Sequence, residues 1–149
     1  MVQDMAGKRM NGYTFDLTRM TSFEGDTGPY LQYAHARLRS ISRKLTFTDD
    51  DLVRADFSLL TEPHAVDLVR VIARYPDVIA QTMKTLEPTT VLTYLFRLTH
   101  QLSSSYDVLR VVDPPEGREI SRARAALYEC ARQVLENGMR VLGLDPVER

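Results

Sequence analysis

Three times in this chain a proline opens a run of apolar residues spaced three and four apart: Pro63 after Glu62, Pro76 before Asp77, and Pro88 after Glu87. The first turn of an α-helix leaves its N–H groups without partners, so proline, which has none to offer, marks helix starts. The first of these helices buries Val66, Val69 and Ile72 or their neighbours and ends near Tyr75. The second is short and holds Val78, Ile79 and Met83, and the third sets Val91, Leu95, Leu98 and Leu102 on one face. A last long helix follows the loop Asp113-Pro114-Pro115-Glu116-Gly117. Its stripe is Ile120, Ala123, Leu127, Cys130, Val134 and Val141, and Gly143 stops it. No segment alternates with period two for long enough to make a strand. The expectation is an all-α bundle of five or six helices of uneven length.

The first half of the chain is punctuated differently. A helix end is expected up to about Gly12, then a mixed segment over Tyr13–Phe23 with a short helix around Asp16 to Met20. Thr48-Asp49-Asp50-Asp51 reads as an N-cap with acids in the first turn. Between these lies Gly25-Asp26-Thr27-Gly28-Pro29-Tyr30, a turn following Glu24 that feeds a helix to about Leu45. Asp26 or Thr27 can accept from the first-turn N–H groups, with Pro29 near the first helical position.

That helix carries the least ordinary chemistry. From Pro29 to Thr48 its charges are Arg37, Arg39, Arg43 and Lys44, with no acid before Asp49. At 100° per residue, Leu31, Ala34, Leu38, Ile41 and Leu45 make one apolar stripe, and Tyr30, Tyr33, Arg37 and Lys44 a second, rotated by roughly 90°. Arg39 and Arg43 point away from the core. Rings beside fixed positive charge suit unstacked bases and phosphates. Boundary tyrosines on a solvated basic face would give the same pattern.

Composition limits the alternatives. The 149 residues are 44% apolar, enough for one core, and the formal net charge of −1 means that any basic surface is local. Arginine outnumbers lysine 16 to 3, which favours planar stacking and bidentate phosphate contacts. The single cysteine, Cys130, excludes an internal disulfide framework and is expected in the core. No apolar run reaches the length of a membrane span. His35, His64 and His100 lie on different helices without a second ligand at i+4, which argues against a metal site. Ser103-Ser104-Ser105-Tyr106 closes a helix with hydroxyls and a further tyrosine. They either satisfy the last carbonyls or offer a second stacking site. Arg97 could reach a phosphate, although a surface ion pair is the simpler expectation. Neither a phosphate-binding glycine loop nor a nucleophile with its base is present. The residues themselves offer no catalytic site.

A resemblance adds to this. The run Ser22-Phe23-Glu24-Gly25-Asp26-Thr27-Gly28-Pro29-Tyr30-Leu31-Gln32-Tyr33-Ala34-His35-Ala36-Arg37-Leu38 is similar to the arginyl-tRNA synthetase family, where its catalytic and anticodon-binding domains meet. So are Arg74-Tyr75-Pro76-Asp77-Val78-Ile79, Glu87-Pro88-Thr89-Thr90-Val91-Leu92-Thr93-Tyr94-Leu95-Phe96 and Asn137-Gly138-Met139-Arg140-Val141-Leu142-Gly143-Leu144. The pattern resembles the eukaryotic cytosolic, fungal-type branch and covers essentially the whole chain.

The resemblance implies a helical bundle of the class I synthetase anticodon-binding type over residues 25–149, with residues 1–24 ending the catalytic domain. It implies an arginine–tRNA ligase that uses ATP with Mg, cytoplasmic and monomeric. Its partners would be a tRNA for arginine and an N-terminal catalytic domain. Asp26, Thr27, Tyr30, Tyr33, Arg37 and Tyr106 match the positions expected to meet the anticodon arm. The family's His-x-Gly-His signature and Lys-Met-Ser-Lys-Ser loop are absent, so this stretch should bind no cofactor and catalyse nothing alone. The alternative is a stand-alone helical interaction or regulatory module of the same descent.

Overall fold

The computed structural model describes residues 1–12, 14–22 and 25–147, with Arg19 described by its backbone alone. Tyr13, Phe23 and Glu24 lie outside the described residues, and with them the domain boundary expected at residue 24. So do Glu148 and Arg149.

Among the described residues the elements are all helical. They are α1 (Val2–Ala6), α2 (Leu17–Met20), α3 (Gly28–Arg43), α4 (Asp49–Val53), a 3₁₀ turn (Phe57–Leu59), α5 (Pro63–Ala73), α6 (Tyr75–Thr85), α7 (Pro88–Ser105) and α8 (Arg118–Val141). The five long helices match the expected bundle, and α1, α2 and α4 add short pieces of five residues or fewer. Proline occupies the first turn of α3, α5, α6 and α7, as the sequence pattern requires. Thr48 and Asp51 form a reciprocal capping box at α4, each side chain accepting from the other's backbone N–H.

Helix α7 is the axis of the bundle, packed against α1, α3, α5, α6 and α8. Val91, Leu95, Leu98 and Leu102 on α7 are fully buried, as is Leu31 of α3. Each such leucine removed from water contributes about 1.5–3 kcal/mol. Gly138 lets α8 approach α7 closely: a Cβ there would lie 2.5 Å from Leu95 Cδ2.

Two faces differ from the sequence expectation. On α5 the buried residues are Ala65, Leu68 and Val71, the neighbours of the valines first considered, and Val69 is exposed. On α8, Cys130 and Val141 are exposed, which corrects their placement in the core. Ala123 and Leu127 of the expected stripe are buried, and Ile120 and Val134 pack partly buried against the core, but the buried seam is centred roughly 90° further around the helix. It also takes in Ser121, Arg124, Tyr128, Ala131, Leu135 and Met139. Polar residues sit in that seam because their hydrogen bonds are made there. Ser121 Oγ donates to the Val111 carbonyl at 2.6 Å. Arg124, 3% exposed, donates to Glu62, to Glu116 and to the Arg110 carbonyl.

The end of α8 turns the chain back. Gly143 adopts φ +73°, and the N–H groups of Gly143 and Leu144 donate to the carbonyls of Arg140 and Met139 at 3.0 and 2.9 Å, closing a Schellman motif. The tail then runs along α3. Gln32 Nε2 donates to the Asp145 carbonyl at 2.8 Å, and the Val147 N–H donates to Gln32 Oε1 at 2.9 Å. His35, fully buried, has Nδ1 3.1 Å from the Val147 carbonyl. On the helical wheel, the tail and the tyrosines occupy opposite flanks of the buried stripe of α3.

Candidate nucleic-acid interface

The start of α3 sets the register of everything on it. Gly25 takes φ +73° in the turn, and Thr27, buried, is the N-cap whose hydroxyl accepts from the Tyr30 N–H at 3.4 Å. Thr27 rather than Asp26 therefore caps the helix. The Asp26 carboxylate instead meets His100 Nε2 of α7 at 2.8 Å, and its carbonyl accepts from Gln3 Nε2 at 3.3 Å. Both side chains of the Asp26–His100 pair remain accessible.

The two tyrosines of α3 differ in burial. Tyr33 is 60% exposed. Tyr30 is half-buried against the core, with its hydroxyl 3.2 Å from Ser103 Oγ and its ring centroid 5.6 Å from that of His100. Tyr30 thereby ties α3 to α7, while Tyr33 presents its ring to solvent.

One turn on from Tyr33, Arg37 tops a column of π-systems. Its guanidinium carbon lies 3.8 Å above the centroid of the Tyr106 ring, which lies 5.6 Å from that of Tyr128. Tyr128, buried on α8, places its hydroxyl 3.2 Å from the carbonyls of both Ser105 and Leu109. The Tyr106 hydroxyl is enclosed and has no hydrogen-bond partner. Burial raises the pKa of both phenols, and the opposing pull of Arg37 does not offset it, so both stay neutral. The column holds the Arg37 charge at the surface over a flat apolar base. Arg37 has no carboxylate partner among the described residues, and α3 contains no acid.

Ser105, expected with the exposed hydroxyls, is buried and donates to the Gln101 carbonyl at 2.7 Å. Ser103 and Ser104 are exposed. Arg97, for which the simpler expectation was an ion pair, has no acidic partner among the described residues. The sequence did not reveal the Asp26–His100 and Tyr30–Ser103 contacts, because each joins residues more than seventy positions apart. Among the described residues no group of three or more His, Cys, Asp or Glu side chains could hold a metal ion. No helix of the described residues is long and apolar enough to cross a membrane.

Fold and face together define an all-α bundle domain with aromatic rings and guanidinium groups on one acid-free helix. A family model described as the DALR anticodon binding domain matches residues 31–149, and the chain belongs to that family. It is similar to the cytoplasmic arginine–tRNA ligase of Saccharomyces cerevisiae, 61% identical over 150 residues, covering 100% of this chain and 24% of that protein. The mitochondrial arginine–tRNA ligase of the same yeast is 53% identical over 150 residues, covering 100% and 23%. The fold matches the crystal structure of arginyl-tRNA synthetase from Plasmodium falciparum with a TM-score of 0.83 at 25% identity, covering 99% of this chain and 26% of that one. The chain thus spans about a quarter of the length of the curated relatives it matches.

Proposed function

We propose that this chain binds the anticodon arm of a tRNA for arginine, as the RNA-gripping part of a cytoplasmic, monomeric arginine–tRNA ligase. In that enzyme a separate catalytic domain, ending near residue 24 of this chain, would use ATP to join arginine to the tRNA. The observation that carries this reading is the surface of α3: an exposed Tyr33 ring one turn from Arg37, which is itself seated on Tyr106, with no acid on the helix.

The mechanism follows from those positions. A loop base that leaves its stack settles on the open Tyr33 ring, a contact worth about 1–3 kcal/mol. Arg37 faces the same side and donates to a phosphate or base edge in a fixed fork geometry. Tyr106 serves beneath it, seating the guanidinium on its ring. Tyr30 and Thr27 hold the start of α3 in register, and Asp26 orients His100 beside the Tyr30 ring. Tyr33→Ala and Arg37→Ala test this: each should weaken binding of an anticodon stem-loop RNA by about fivefold or more, and Tyr33→Ala, at an exposed ring, should leave the melting temperature within a degree or two. Unchanged RNA affinity in both variants would overturn the reading.

A further inference from the structure

On the far side of α7 from α3, a groove of about 620 Å³ runs between α5 and α7, lined by Asp67, Arg70, Arg74, Arg97 and Gln101. Asp67 is engaged by Arg70 at 3.0 Å. Arg74 and Arg97 are exposed and have no acidic partner among the described residues. Three guanidinium groups against one carboxylate leave the groove at a net +2 (3 − 1). In a chain whose overall charge is −1, that is a local concentration of positive charge.

The groove is continuous with the α3 face. Arg97 and His100 are one turn apart on α7 and share the lining of a second cleft, on the α3 side, with Asp26 and Thr27. His100 in turn meets the Tyr30 ring. The surface therefore runs from Tyr33 and Tyr30 over His100 and Arg97 to Arg74. It crosses two helix–helix spacings, roughly 16–20 Å. That span corresponds to about five or six stacked nucleotides of one strand.

We propose that the α5–α7 groove receives backbone phosphates of the RNA stem, with Arg74 and Arg97 as the contacting residues and Arg70 paired with Asp67. This rests on the reading that α3 receives the loop, and adds to it a second anchor that carries no base information. Guanidinium pairs on a concave surface bind phosphate bidentately, and each phosphate neutralised releases counterions from the RNA.

The test is salt-dependent titration of the 149-residue chain with a hairpin RNA and with the single-stranded loop alone. The variants are Arg74→Gln/Arg97→Gln, Arg74→Lys/Arg97→Lys and Tyr33→Ala. For the hairpin, the double glutamine variant should lower the slope of log K against log salt by about 1.4–1.8, so that wild type loses about tenfold more affinity between 50 and 200 mM salt than the variant does. Loop binding should be unchanged, and the lysine variant should keep most of the slope. A hairpin slope that stays at the wild-type value in the glutamine variant, while Tyr33→Ala weakens binding, overturns the groove and leaves the α3 reading standing. Weakening by the glutamine variant with no effect of Tyr33→Ala keeps the groove and removes the α3 reading. A slope lost equally in the lysine variant shows that altered folding, not charge, was measured, and also overturns the groove.

Discussion

The guanidinium of Arg37 lies 3.8 Å above the ring centroid of Tyr106, although 69 residues separate them in the sequence. This contact joins the helix that would meet RNA to the end of the helix on which the bundle is built. It is worth about 0.5–2 kcal/mol, depending on how far it is desolvated. Its greater use is orientation. Replacing Tyr106 with alanine should therefore weaken binding of the anticodon stem-loop about as much as Arg37→Ala does, whereas Tyr106→Phe should keep wild-type affinity. Fluorescence titration of the three variants checks this.

The two tyrosines beneath Arg37, tilted 57° to each other, should differ in what their hydroxyls contribute. That of Tyr106 is enclosed without a partner, while that of Tyr128 lies within reach of two carbonyls. Removing an unsatisfied buried hydroxyl is neutral or stabilising, and removing a satisfied one strands its acceptors. Tyr106→Phe should leave stability unchanged or raise it slightly, and Tyr128→Phe should cost about 1–2 kcal/mol by chemical denaturation.

How much of this was legible beforehand depended on the kind of signal. Helix starts were plain, because Pro63, Pro76, Pro88, Thr27 and Thr48 act within a single turn. The rotation of each helix about its axis was less so. Helix α5 has apolar residues around most of its circumference, so spacing alone did not choose Leu68 and Val71 over Val66 and Val69. On α8 the expected stripe holds at Ala123 and Leu127, yet Cys130 and Val141 are exposed while Ser121, Arg124 and Tyr128 are buried. Their burial depends on acceptors supplied by distant residues such as Val111, Glu62 and Leu109, which no local pattern discloses. The tyrosine–arginine stripe of α3 was legible as a stripe. That Tyr33 is open and Tyr30 is tied to Ser103 follows from where α7 lies.

Arg124 joins the start of α5 to the loop before α8 through Glu62 and Glu116. Burial works against its charge, but the two carboxylates outweigh that and raise its pKa. Arg124→Ala would leave Glu62 partly buried without its counter-charge. We expect a loss of about 3 kcal/mol, the lower end for a broken buried pair, because Glu62 and Glu116 retain some access to water. Thermal melting measures it, and a loss below about 1 kcal/mol would show the clamp to be incidental.

Acid should loosen the fold through carboxylates whose pKa values are depressed, Glu136 and Asp51 among them. Partial burial pushes Glu136 upward, but hydrogen bonds from Arg132 and Arg140 hold it below its ordinary value. Asp51 is lowered by the backbone N–H of Thr48 and then by its hydroxyl. A depressed folded-state pKa contributes stability that is fully present above the unfolded carboxylate value and is lost as pH falls through the folded one. The melting temperature should therefore hold from neutrality down to about pH 5 and fall below it. Glu136→Gln should lower it at neutral pH and flatten the acid limb.

The most direct measurement compares two hairpin RNAs with one stem, one carrying the open anticodon loop of a tRNA for arginine and the other closed by a tight loop without free bases. Tyr33 and Arg37 acting on unstacked bases predict that the chain prefers the open loop by roughly 5–150-fold, and that Tyr33→Ala abolishes most of this preference. Equal affinity for both hairpins, or a preference that survives Tyr33→Ala intact, would contradict it.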